Sequence, residues 1–260
     1  MPFLTANWNY LAILNFRIDP ELLAPHVPSG TELDFYHAET YVSVVGFLFH
    51  HTLVMGVPIP GHSNFEEVNL RFYVRKKSGA ESRRGVVFIR ELVPKIAIAV
   101  TARVLYGEPY LAVPMRSEVI DGDGEVNVRY EWRRGSKWEF ISMGARGDAQ
   151  SVAAGTHEEF ITEHYWGYTK RGAERTSEYR IEHPRWKIWP AASHEFKVDV
   201  ATLYGAKFVE PLAATPVSAF IADGSFVAVH RRDARRAVIL SLSINYDTVI
   251  RPDNFDGILE

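Results

Sequence analysis

Cysteine is absent from all 260 positions of the chain. That one absence excludes disulfides, thiolate-ligated zinc, iron–sulfur clusters and thiol catalysis together. It leaves the compartment open, because a thiol-free chain is chemically at ease in any. Long apolar runs are also missing: nothing approaches the roughly 18 uninterrupted apolar residues that a bilayer-spanning helix requires. The stretch 1–16 is apolar, but Asn7, Asn9 and Asn15 interrupt it, with neither a basic leader region nor a small-residue cleavage site. No membrane association and a cytoplasmic location are therefore expected. Charge of one sign is lacking too. The 29 Lys+Arg against 32 Asp+Glu give a net charge of -3, which supplies no field for nucleic acid and no polybasic patch for a lipid surface.

Signature motifs are equally scarce. The chain has no G-x-G-x-x-G, no G-x-x-x-x-G-K-[ST] and no G-x-S-x-G, so dinucleotide, P-loop and nucleophile-elbow chemistry lack their sequence basis. Ten histidines invite a metal, yet their spacing is poor and no H-E-x-x-H occurs. His50 and His51 are adjacent and point to opposite faces of a strand, while His157 and His164 fall two turns apart on an expected helix. His62, His183, His194 and His230 stand alone. Neither a metal nor a cofactor is expected.

What the chain does have is period-two alternation. In Glu66–Arg75, Val68, Leu70, Phe72 and Val74 fall on one face, and Glu67, Asn69, Arg71, Tyr73 and Arg75 on the other. Glu125–Trp132 repeats the pattern, preceded by Asp121-Gly122-Asp123-Gly124, whose Asp-Gly pairs suit the positive φ of hairpin turns. Arg133-Arg134-Gly135-Ser136 and Asp223-Gly224 are further hairpin candidates. Tyr41–Phe49 and Val86–Leu92 are apolar enough to be strands buried on both faces. Helices are few. Pro94–Tyr106 has proline in its first turn and Gly107 as a stop, Thr156–Glu159 reads as a capping box, and Asp19–Leu23 fits one turn. No linker or repeat divides the chain, so one domain over 1–260 is expected, mainly β or α+β, with antiparallel strands.

The candidate chemistry gathers on few residues. The face Glu67-x-Asn69-x-Arg71-x-Tyr73 presents a carboxylate, an amide, a guanidinium and a phenol about 7 Å apart. It is either the solvated outer face of a sheet or the polar lining of a pocket. A dry pocket should hold both charges or neither, and Glu67 pairing with Arg71 would satisfy the two internally. Lys95 has the most apolar context of any lysine, with Lys207 second. The turn Gly107-Glu108-Pro109-Tyr110 fixes the directions of Glu108 and Tyr110. Tyr165-Trp166-Gly167-Tyr168 and Trp186-Lys187-Ile188-Trp189 serve either core packing or the floor of an apolar pocket.

Several of these stretches together resemble the bacterial DUF2071 family. They are Phe65-x-Glu67-x-Asn69-x-Arg71-x-Tyr73-Val74, Arg90–Pro94, Ala102-Arg103-x-x-Tyr106-Gly-x-Pro-Tyr110, Glu159–Tyr165 and His183-Pro-x-Trp186. The resemblance implies a fold similar to acetoacetate decarboxylase, a mostly antiparallel, barrel-like β-structure around an apolar pocket with a few peripheral helices. In those decarboxylases the turn reads G-x-P-K, and its lysine forms a Schiff base with its pKa lowered by a second lysine. Here Tyr110 and Leu111 stand at that place. The family's pocket glutamate maps to Glu67, and Arg17, Arg71 or Arg103 is available as its arginine. The resemblance thus implies a pocket for a small organic acid or carbonyl compound without Schiff-base decarboxylation, lined by Glu67, Asn69, Arg71, Tyr73, Arg103 and Tyr110. Two alternatives stay open: a lysine-independent enzyme using Glu67 and Tyr110 as acid and base, and a structural or interaction domain. A homo-oligomer is also open.

Overall fold

Alternation of β-branched and aromatic residues with polar ones builds a fold that is almost entirely strand. A computed structural model of the chain describes residues 1–79, 81–94 and 109–231. Its strands are β1 (Leu4–Ile18), β2 (Glu32–Leu33), β3 (Thr40–Val54), β4 (Val57–Pro58) and β5 (Phe65–Ser78). There follow β6 (Glu81–Val93), β7 (Tyr110–Ala112), β8 (Met115–Gly122), β9 (Glu125–Arg134) and β10 (Lys137–Arg146). The last are β11 (Gln150–Ser151), β12 (Trp166–Lys170), β13 (Thr176–Glu182), β14 (Lys187–Lys197) and β15 (Ser218–Arg231). The helix expected over Pro94–Tyr106, and with it Lys95, Arg103 and Glu108, lies outside the described residues.

Hydrogen bonds run in the order β1-β3-β5-β6-β12-β13-β15, and β15 pairs back onto β1. Seven strands therefore close on themselves as a barrel. The remaining path, β14-β10-β9-β8, continues from β15 as an outer sheet. Pairings are antiparallel except two short parallel registers, β6 with β12 and β6 with β7. The Asp123-Gly124 turn joins β8 to β9 with φ of 54° and 75°, the paired positive values of a type I′ hairpin. Gly135, at φ 58°, turns β9 into β10.

Asp223-Gly224 is not a hairpin. It sits inside β15, where Gly224 takes φ 82° and its Cα lies against the Trp8 carbonyl so closely that a Cβ would be 2.0 Å from that oxygen. The long-range partner β1, rather than a local turn, claims these residues. Gly224 is one of several irregularities at which the inward face changes parity. In β1 the interior residues are Ala6 and Trp8 before Tyr10 (φ 53°), and Leu11 and Ile13 after it. In β6 they are Val86 and Phe88 before a bulge at Ile89, and Glu91 and Val93 after it. Such bulges bend strands sharply enough to close a barrel.

The core divides in two. One cluster lies between the barrel wall and the outer sheet and includes Val68, Leu70, Phe72 and Val74 with Val128, Tyr130 and Trp132. A second lies inside the barrel around Leu11, Phe47, Phe49, Phe65 and Trp186. Strand β5 is thus buried on both faces, and its polar row points into the barrel. Half of the expected capping box forms, since the Glu159 carboxylate accepts from the Gly155 amide rather than from that of Thr156. Thr156 accepts from the Glu159 amide and opens the helix His157–Thr162.

Candidate functional site

A cavity of about 220 Å³ occupies the barrel interior. Its walls are mostly aromatic: Trp8, Phe47, Phe49, Phe65, Phe88 and Trp186. Ring packing fixes them, with Trp8 edge-on to Phe47 at 5.2 Å and Phe49 stacked on Phe65 at 4.5 Å. Into this apolar space β5 sends Glu67, Asn69 and Arg71, β6 sends Glu91, and β7 sends Tyr110. All four β5 and β6 side chains are buried, Glu67 to 3% and Glu91 to 1% exposure.

Glu67 is held by two neutral donors. Asn69 Nδ2 donates to Oε1 at 3.1 Å, and the Tyr110 hydroxyl donates to Oε2 at 3.1 Å. Burial pushes the Glu67 carboxyl up to about 7, against the pull of these hydrogen bonds and of the Arg71 charge. The carboxyl therefore changes protonation near neutral pH.

Arg71 is buried at 8% exposure, and its guanidinium lies 5.8 Å from the Tyr73 ring centroid. The expected internal pair does not form: among the described residues Arg71 makes no ion pair, and its Nε has no hydrogen-bond partner. Asn69 Oδ1 is likewise unpartnered among them. Buried polar atoms are almost always hydrogen-bonded, and a buried cation is the costliest to leave alone.

Tyr73 has a different role from the one expected. Its hydroxyl meets Ser43 Oγ at 2.5 Å, Ser43 donates to Asn15 Oδ1, and Asn15 Nδ2 donates to Ser218 Oγ at 2.8 Å. This buried chain ties four barrel strands together, so Tyr73 closes the end of the site and does not line it. Arg103 lies outside the described residues.

Glu91, Thr162, His164 and His183 are among the polar lining residues that escaped the sequence reading as site candidates. His164 follows the capping-box helix, fully buried, with its ring 4.6 Å from Tyr73 and Nε2 3.8 Å from Asp34 Oδ2. Burial pushes its imidazole down to about 4, against the opposing pull of Asp34, so it is neutral at pH 7. Asp34 is instead engaged by Arg84 Nε at 2.6 Å. His183 stacks on Trp186 at 4.2 Å, and burial lowers its pKa. Isolated in sequence, both histidines offered no spacing signal. Only their presence in the family-like stretches marked them. Among the described residues no group of three acidic or imidazole side chains is arranged to hold a metal.

The comparison with known sequences follows this geometry. Residues 5–225 match the profile of DUF2071, described as an uncharacterized conserved protein. The chain belongs to the DUF2071 family. A relative, the uncharacterized protein YqjF of Bacillus subtilis (strain 168), is 30% identical over 112 residues. That match covers 43% of this chain and 45% of YqjF, so the chain spans less than half the length of that relative. In fold, this DUF2071 chain is similar to acetoacetate decarboxylase from Legionella pneumophila, with a TM-score of 0.59 at 14% identity, covering 89% of this chain and 86% of that one. It is also similar to the enduracididine biosynthesis enzyme MppR complexed with pyruvate, with a TM-score of 0.58 at 11% identity, covering 88% of each chain. The acetoacetate decarboxylase-like fold implied by the sequence motifs is thereby established.

Proposed function

We propose that the barrel cavity binds a small organic acid or carbonyl compound, with Arg71 as the carboxylate clamp and Glu67–Tyr110 facing the rest of the ligand. One observation carries this reading: a buried guanidinium lines an apolar cavity and, among the described residues, makes no ion pair and leaves its Nε without a hydrogen-bond partner. A planar cation of that kind pairs bidentately with a carboxylate, and the low-dielectric walls strengthen the pair. The aromatic lining would exclude water from the remainder of the ligand. Pyruvate held by a protein of similar fold supports the size and class of ligand. By the motif resemblance Tyr110 takes the place of the decarboxylases' lysine, and a phenol cannot condense with a ketone. The reading therefore contains no imine. Titration calorimetry with pyruvate and acetoacetate tests it. Wild type should bind, and Arg71→Met should lose about 2 kcal/mol or more, roughly thirtyfold in affinity. Equal binding by the two proteins would sink the assignment.

The protonation of Glu67 supports a second reading, an acid–base catalyst that needs no lysine. A carboxyl with a pKa near the working pH is suited to taking a proton from the carbon beside a carbonyl. Tyr110, hydrogen-bonded to it, would stabilise the resulting enolate oxygen. Exchange of pyruvate methyl protons with solvent deuterium, followed by NMR, should then proceed faster with wild type than with Glu67→Gln. No exchange above background would leave binding alone.

A further inference from the structure

The cavity is longer than the ligands just considered need, and its chemistry is graded along its length. Strand register orders it. Glu67 lies opposite Phe47 of β3, Phe65 opposite Phe49, and Phe49 opposite Trp8 of β1. Farther along β3, Val54 lies opposite Leu4, which in turn lies opposite Val229 of β15. Val54, Leu4, Val229 and Ile59 all line the same cavity. Three levels follow one another: the charged and amide groups of β5, an aromatic belt, and a mainly aliphatic end in which Thr52 and His62 are the polar exceptions. From Phe47 to Val54 is seven residues of β3, roughly 20 Å of extended chain. The aliphatic end is also the more exposed one, since the turn that follows Val54 is at the surface. The β3–β4 turn and its continuation carry Met55 at 63%, Val57 at 58% and Ile59 at 40% exposure, three of the nine exposed large apolar residues described. An apolar mouth serves no purpose for an acid of two to four carbons seated at Arg71.

Resting on the proposed carboxylate site, we infer that the ligand is an amphipathic acid, its carboxylate at Arg71 and a hydrocarbon or aryl tail running past Phe47, Phe49 and Trp8 toward Val54 and Ile59. Tail length, read by the aromatic and aliphatic levels, is then what selects among acids. The alternative occupant of such a mouth, a neutral hydrocarbon, has no use for the buried guanidinium.

An unbranched series from acetate through butyrate and octanoate to dodecanoate and hexadecanoate, measured by calorimetry on the full chain below each acid's micelle-forming concentration, tests the inference. Affinity should rise about three- to fourfold per methylene until the tail reaches the mouth. Ile59→Asp should flatten the upper part of the series, since it places a charge where the tail ends. Ile59 is on a partly exposed connection, so the variant should fold. Ile120→Asp, an exposed apolar residue on β8 away from the cavity, should leave the whole series unchanged. A flat series with Arg71-dependent binding of acetate and pyruvate would overturn the tail site and spare the carboxylate site. Binding of octanoate that Arg71→Met does not weaken would overturn the head-first orientation. Failure of every acid to bind would overturn the carboxylate reading and the inference together.

Discussion

Two buried glutamates, Glu139 in the outer sheet and Glu67 in the barrel, have nearly the same exposure, 7% and 3%, and opposite surroundings. Glu139 accepts from Trp132 Nε1 at 2.8 Å and from the Asp199 amide at 3.0 Å, with Arg134 NH1 3.6 Å away. Its charge is answered by a cation and both oxygens are occupied. Glu67 has only an amide and a phenol, while the cation in the same cavity does not pair with it. The first arrangement is closed and has nothing left to bind. The second leaves a carboxyl near its titration point beside an unpaired guanidinium. A closed buried network specifies a fold, whereas an open one has a cost that a ligand can relieve.

The contrast can be broken or sharpened in three ways. The largest effect belongs to Glu139→Ala, which strands the Trp132 donor, the Asp199 amide and the Arg134 charge. Chemical denaturation should show a loss of about 3–4 kcal/mol, while carboxylate binding in the surviving folded protein stays unchanged. A loss below about 1 kcal/mol would mean that the outer-sheet network is not the structural one.

Next comes the pH dependence of Glu67. Its carboxyl titrates at about 7 in the folded chain against an ordinary 4.5. Between those values the folded state holds more proton than the unfolded state, so stability falls as pH rises through this window. Relative to Glu67→Gln, wild type should lose up to roughly 3 kcal/mol from pH 4.5 to 7. A constant difference between the two proteins across that range would show that the carboxyl is solvated after all.

The smallest effect is the most diagnostic. Because Arg71 makes no ion pair among the described residues, Arg71→Met strands no carboxylate partner there and should change stability by no more than about 1 kcal/mol in either direction, even as it removes carboxylate affinity. A buried Arg71–Glu67 pair, the internal pairing weighed from the sequence, would instead make the same change cost ~3 kcal/mol or more. A loss of that size in denaturation would restore the pair and close the site.

Much of this was legible before any coordinates. The alternation at Val68–Val74 and Val126–Trp132, the Asp123-Gly124 turn and the Thr156 cap lie where the sequence reading placed them, while Glu67, Arg71 and Tyr110 line one cavity, one of the two placements that reading left open. Tyr73 was on the right face but not in the right role, since its hydroxyl is taken by Ser43, 30 positions away. His164 and His183 were passed over because no local period connects them to β5.

Local patterns settle which residues share a face, because alternation, turn φ and capping depend on backbone geometry over only a few residues. They could not decide whether the polar face of β5 looked out or in. Period two distinguishes two sides of a strand and is silent about what covers each. Barrel closure through β15 and β1 decided that. Closure also required the parity changes at Tyr10, Ile89 and Gly224, each of which moves the inward-facing set by one residue. Glu91 enters the cavity only because of such a step. The pairing that imposes a step is made with a strand distant in sequence, so no window of local residues contains it.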